Sequence, residues 1–360
     1  MSEQIPPYLT GGGSRRKLRG RAPSRLYTGH KGPRFRRRLL LVPLVGIAAL
    51  LAIILGSRGG HGTAGSAAGG RADSLAQKVA PPRSLGDSAS GGGDSSRFAV
   101  NLTGADLVHI RYSRAHRPRA GVLFDVRTGR VLWRLNPTRR LPIASLTKMM
   151  TALLVVERRG PHERVRISAR ARHTPGSAVG VLPKRKPVQL ETLLNGLLLV
   201  SGNDAAVALA QHTAGSVGGF VRMMNERAHQ LGLGCTHYTS PHGYVDAGNH
   251  SCAADLAELA RADLHLRRLR RIVGRSRAIL KFPIKGGRLF LYNNNPLMRA
   301  GYPGVTGLKT GYTDAAGQSI VATARRGKVE LGVVLLHSYN MGNQAEQLLD
   351  RGFKALRAGR

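Results

Sequence analysis

Cysteine and acid are scarce in this 360-residue sequence: it holds two cysteines, and 19 Asp and Glu stand against 56 Lys and Arg. The cysteines, Cys235 and Cys252, form no metal-ligand spacing, which argues against a structural zinc site. They leave two readings open, one disulfide in an oxidising compartment or two buried thiols. The shortage of acid gives a formal net charge of +37. That charge calls for an anionic partner without choosing among nucleic acid, anionic lipid and an anionic cell envelope.

Roughly the first hundred residues are rich in Arg, Gly and Ser and poor in aromatics, so they cannot bury enough apolar surface to offset the entropy of ordering. Residues 1–38 are expected to be a basic, disordered cytoplasmic tail, with eleven Lys and Arg between Arg15 and Arg38 and no acid among them. The run LLLVPLVGIAALLAIIL from Leu39 to Leu55 is uncharged and close to the shortest helix that spans a bilayer. Residues 39–57 are therefore expected to be a transmembrane signal-anchor. The basic flank keeps the N-terminus inside and sends the rest across the cytoplasmic membrane. Cleavage near Ser66, Ala67 and Ala68 is the competing expectation and would make the protein secreted. Residues 58–100 read as a Gly/Ser/Ala tether and 101–360 as one catalytic domain. The basic tail is explained by topology and anionic lipid, so nucleic acid is not an expected partner.

Within the domain, GVLFDVRTGRVLWRLN forms a hairpin pattern turning at Thr128 and Gly129. Helices are expected from Ser145 to about Glu157, and over Val188–Val200, Asp204–Thr213, Phe220–Leu231, Ala253–Leu264 and Gln344–Leu356. Strand patterns cover Gly304–Tyr312, Gln318–Ala324 and Val329–His337. Strands at both ends with helices between predict an α/β fold: an antiparallel sheet from the terminal segments, flanked by helices, with an inserted helical subdomain.

Three motifs occur in order: Ser145-Leu146-Thr147-Lys148, Ser201-Gly202-Asn203 and Lys309-Thr310-Gly311. Each alone is weak, since a helix start with a surface lysine, a polar turn and a basic strand end account for them separately. Positions three apart at a helix start share a face, which can place Lys148 beside the Ser145 hydroxyl as its base. Ser201 can relay a proton to a leaving amine, while Asn203 can hold Lys148 and a substrate amide. Lys309 and Thr310 can bind a terminal carboxylate, and Gly311 lets a substrate backbone lie close to the strand. Main-chain N–H groups of Ser145 and Tyr312 would complete an oxyanion hole. No G-x-S-x-G elbow surrounds Ser145, and His212, His242 and His250 are read as helix-surface or loop residues.

The segments PIASLTKMMTA (142–152), LLLVSGNDAAVALA (197–210), FVRMMNERAHQLGL (220–233), SPHGYVDAGNHSCAADLAELA (240–260) and YPGVTGLKTGYTDAAGQSIVATARR (302–326) resemble low-molecular-mass penicillin-binding D-alanyl-D-alanine carboxypeptidases. The resemblance implies the serine β-lactamase and D,D-peptidase fold. It also implies an acyl-enzyme route on the peptidoglycan stem pentapeptide, acylation by β-lactams, and no metal or organic cofactor. A D,D-endopeptidase and a non-turnover penicillin-binding sensor are the alternatives. Ser240 and Cys252 stand where Asn and Thr are more usual in similar sequences. Many family members carry a C-terminal β domain and an amphipathic anchor; here anchoring is expected to fall to 39–55. Glu191-Thr192-Leu193-Leu194-Asn195 spells a β-lactamase deacylation motif but precedes Ser201, so Glu191 is read as a solvent-facing acid.

Overall fold

A computed structural model of the chain describes residues 97–244 and 247–358. The chain divides into two compact units, 1–82 and 83–360. The first unit, with the expected tail, membrane helix and most of the tether, lies outside the described residues. Among the described residues no helix is long and apolar enough to cross a membrane.

Along the chain come strands β1 (Ala120–Asp125) and β2 (Val131–Leu135), then helices α1 (Lys148–Arg158), α2 (Leu190–Leu199), α3 (Asn203–Ala214), α4 (Val217–Gln230), α5 (Ala253–His265) and α6 (Arg267–Val273). There follow β3 (Arg277–Lys281), β4 (Arg288–Tyr292), β5 (Val305–Gly311), β6 (Gln318–Arg326), β7 (Val329–Ser338) and α7 (Met341–Ala358). Five strands form one antiparallel sheet in the order β2-β1-β7-β6-β5, so the first hairpin joins the last three strands of the sheet, as the sequence predicts. Ala120 to Phe124 of β1 are all buried, as expected of a central strand covered on both faces.

Helix α7 covers one face. Ala345, Leu348, Leu349, Gly352 and Phe353 recur at helical spacing and are buried; the four apolar side chains pack with Leu123, Ile320 and Val333 of the sheet. The other face packs into a larger core with α1, α2, α3 and α5. Helix α1 is central, with every residue from Lys148 to Val155 buried. Gly215, at φ +75°, ends α3, and Ser216 at once caps α4 by accepting from the Gly219 N–H.

Three expectations need correction. Ser145 lies in a 3-10 turn, Ala144–Thr147, and α1 begins only at Lys148. Val188 and Gln189 are not helical: they pair with Arg164 and Val165 as a two-residue ladder, and α2 starts at Leu190. Helix α6 and the β3–β4 hairpin arise where no element was expected.

Candidate active site

The Ala144–Thr147 turn, which carries Ser145, is held from beneath and from the side. Thr147 Oγ1 donates to the Ala144 carbonyl at 2.8 Å and accepts from Asn249 Nδ2 at 2.8 Å, while Thr151 Oγ1 donates to the Pro241 carbonyl at 2.7 Å. Ala144 itself adopts φ +47°, a conformation that costs an L-residue energy and recurs at functional sites. In this setting Lys148 Nζ donates to Ser145 Oγ at 2.7 Å and to the His242 carbonyl at 2.8 Å. The lysine is fully buried, so the expected hydroxyl and amine pair is made out of contact with solvent.

The second and third motifs meet each other. Lys309 Nζ donates to Ser201 Oγ at 3.0 Å and to the Thr310 carbonyl at 2.8 Å. Burial alone pushes the Lys309 amine down to about 7. Ser201, like Ala144, is left-handed, at φ +65°, and lies two residues before the start of α3. The end of β5 lies against the Ser145 turn: a methyl group at Gly311 would stand 3.0 Å from both the Ile143 carbonyl oxygen and the Ser145 nitrogen. Glycine makes that approach without crowding, whereas any side chain would have to push the turn back by a few tenths of an ångström. Tyr312, next in sequence, is 65% exposed at the mouth.

Asn203 sits beside this group but does not grip Lys148. Its Nδ2 donates to the Pro175 carbonyl at 2.7 Å, and its buried Oδ1 has no partner. An unmade bond on a buried carbonyl oxygen is costly, and it leaves an acceptor free for an incoming donor. Its neighbour Asp204 accepts from the Val179 and Gly180 N–H groups at 2.9 and 3.0 Å, tying that segment to α3.

Sequence reading gave the segment 235–252 no contact with Ser145 or Lys148. Cys235 and Cys252 form a disulfide with Cα atoms 5.6 Å apart, which decides between the two readings left open. The disulfide closes a loop carrying Pro241, His242, Gly243 and Asn249, four residues that touch the Ser145 turn or α1. His242 contributes its backbone carbonyl. Burial, then the charges of Lys148 and Arg170, push its ring down to about 4, so the ring is neutral near pH 7. The signal available in the sequence was the glycine at 243: at φ +72° a Cβ there would collide with the Ala144 carbonyl and Thr147 Oγ1. A cleft of about 570 Å³ lies between this loop and the segment after β5, lined by Ala144, Gly248, His250, Thr313 and Asp314 among others.

Two smaller readings are settled. Glu191 is a partly exposed acid, as expected of a solvent-facing side chain, and accepts from Arg268 Nε at 2.7 Å. His212 lies on the helix surface and meets Glu163 at 2.8 Å.

A family model described as D-alanyl-D-alanine carboxypeptidase matches residues 109–340. The D-alanyl-D-alanine carboxypeptidase DacF of Bacillus subtilis is 36% identical over 220 residues, which are 60% of this chain and 56% of the relative. With DacA of Haemophilus influenzae the match spans 52% of the relative, so the chain spans about half the length of these curated relatives. Among solved structures, a D-alanyl-D-alanine carboxypeptidase from Mycobacterium tuberculosis aligns with a TM-score of 0.63 at 31% identity, over 69% of this chain and 94% of that one. A mutant of a Streptomyces DD-transpeptidase aligns with a TM-score of 0.62 at 27% identity, over 66% and 98%.

Proposed function

From the premise that the chain belongs to the D-alanyl-D-alanine carboxypeptidase family, we propose that it removes the terminal D-Ala from peptidoglycan stem pentapeptides through an ester on Ser145, and that β-lactams acylate the same oxygen. The observation that carries this reading is the 2.7 Å contact between Lys148 Nζ and Ser145 Oγ, set against the Lys309–Ser201 pair.

The roles follow from the groups. Lys309, as ammonium, pairs with the terminal carboxylate, and Thr310 adds a hydroxyl donor. The substrate's negative charge offsets the burial that otherwise favours the neutral amine. Ser145 Oγ attacks the carbonyl carbon of the D-Ala-D-Ala bond while Lys148, as free amine, takes its proton. The oxyanion is received by the N–H groups of Ser145 and Tyr312, with Gly311 allowing the approach. Ser201 bridges the proton to the departing amine, the C–N bond breaks and D-Ala leaves. Water then attacks the ester, giving its proton back through Lys148, and Ser145 is regenerated. Asn203 Oδ1 is suited to accept from a substrate amide N–H. The chemistry needs no metal or organic cofactor.

In the full chain we place this domain, 101–360, outside the cytoplasmic membrane. It is tethered by 58–100 to a single-pass anchor at 39–57, with the basic tail 1–38 inside. The apolar run behind an acid-free basic cluster supports that topology. The test is intact-mass analysis before and after penicillin. One covalent adduct is expected, absent in Ser145→Ala, together with release of free D-Ala from a D-Ala-D-Ala peptide. A folded protein that neither forms the adduct nor releases D-Ala refutes the reading.

A further inference from the structure

The β3–β4 hairpin takes no part in the site described above. Its strands pair with Arg277 opposite Tyr292, Ile279 opposite Phe290 and Lys281 opposite Arg288 on one face. Ala278, Leu289 and Leu291, on the other face, belong to the core. The outward face is therefore apolar and aromatic in the middle and cationic at its edges. Ile279, Phe290 and Tyr292 are 52%, 56% and 61% exposed, and Ile284 in the connecting turn is 37% exposed. Among the described residues nine large apolar or aromatic side chains are exposed, and four of them lie on this hairpin. Such clustering marks an interaction surface, whereas scattered single residues do not.

Charge narrows the partner. Between Asp263 and Asp314 the sequence contains no acid. Among the described residues Arg277, Lys281, Lys285 and Arg288 form no ion pair. A soluble polyanion would neutralise the cations and leave Ile279 and Phe290 in water. An apolar protein groove would bury those two and strip water from the cations. An anionic lipid surface satisfies both, with the apolar side chains among the headgroups and the long basic side chains reaching the phosphates.

We propose that the β3–β4 hairpin docks on an anionic bilayer, laying Ile279, Phe290 and Tyr292 into the headgroup layer with Arg277, Lys281, Lys285 and Arg288 paired to lipid phosphates. This second contact is separate from the proposed anchor at 39–57 and independent of the catalytic reading.

The test uses the full chain carrying Phe290→Trp, reconstituted into vesicles of phosphatidylglycerol or of phosphatidylcholine, each with brominated acyl chains. The only native tryptophan, Trp133, is 6% exposed, so the unsubstituted chain supplies the background. The expected result is quenching and a blue shift of the added indole in phosphatidylglycerol alone. Adding Lys281→Gln or Lys285→Gln should weaken docking about fivefold each, the effect of about one charge at an anionic surface. Far-UV circular dichroism checks that each variant is folded. No quenching, or equal quenching in both lipids, overturns the proposal. So does a lipid-free shift that depends on protein concentration, which would assign the face to a second copy of the chain.

Discussion

Replacing Lys309 with methionine separates what this side chain costs the fold from what it does for the substrate. The amine is fully buried, and burial lowers it from its ordinary value of 10.5 to about 7. At ~1.4 kcal/mol per pH unit, holding it charged inside the folded domain costs about 5 kcal/mol. Because folding lowers this pKa, the unfolded chain holds the extra proton between about pH 7 and 10.5. Stability therefore climbs as pH rises through that window, and the full penalty is present below it. Lys309→Met removes the penalty but also loses the bonds to Ser201 Oγ and the Thr310 carbonyl. These are worth about 1 kcal/mol each. The variant is then expected to be more stable than the parent by roughly 3 kcal/mol at pH 6 and less stable by roughly 2 kcal/mol at pH 10.5. The two curves should cross at about pH 9. Urea unfolding followed by circular dichroism at several pH values reads the difference directly, since titrations common to both proteins cancel. The same variant should lose acylation by substrate and by penicillin, having no charge for their carboxylates. Parallel stability profiles from pH 6 to 10.5 would refute the argument that burial of a cation is the cost of this site.

Two further outcomes test the wall opposite Lys309. Cys252→Ala, or reduction of the disulfide, should lower unfolding stability by about 3 kcal/mol for a loop of this size. It should also slow penicillin acylation, because that loop carries the His242 carbonyl; unchanged acylation kinetics would detach the loop from catalysis. Gly243→Ala adds a methyl group where the Ala144 carbonyl and Thr147 Oγ1 already stand, at a left-handed position. A loss of about 3 kcal/mol in stability and a sharp fall in acylation rate are expected, measured by unfolding and by rapid-quench labelling. A fully active Gly243→Ala protein would contradict the packing described here.

The sheet and the three motifs were legible because they rest on short-range rules. Period-two runs gave β1, β2 and β5 to β7, and three-residue spacing at a helix start placed Lys148 on the face of Ser145. What was not legible depends on contacts across long stretches of sequence. Val188 looked helical because it continues the apolar run of α2, yet Val165 captures it as a strand partner. The β3–β4 hairpin was hidden because its flanking basic residues and the Gly286-Gly287 turn diluted the alternation. Its inward residues make sense only once α2 is packed beneath them. Asn203 was assigned to Lys148 from motif logic, whereas the structure spends its amide on Pro175, which no local pattern signals. The disulfide could not be chosen from two cysteines, since pairing is a fact of three-dimensional proximity.

The pairing of Ala120 with Leu336 sets an order of events as the polypeptide is made. Ser145 and Lys148 leave the ribosome long before Lys309, and β1 must wait for β7, the last of the described strands, before it gains its central neighbour. A partly synthesised chain that ends before β5 therefore cannot bring Lys309 to Ser201, and the cleft stays incomplete until the later strands are made. A sheet that pairs the first hairpin of the domain with its last three strands delays assembly of the cleft until those strands have been delivered.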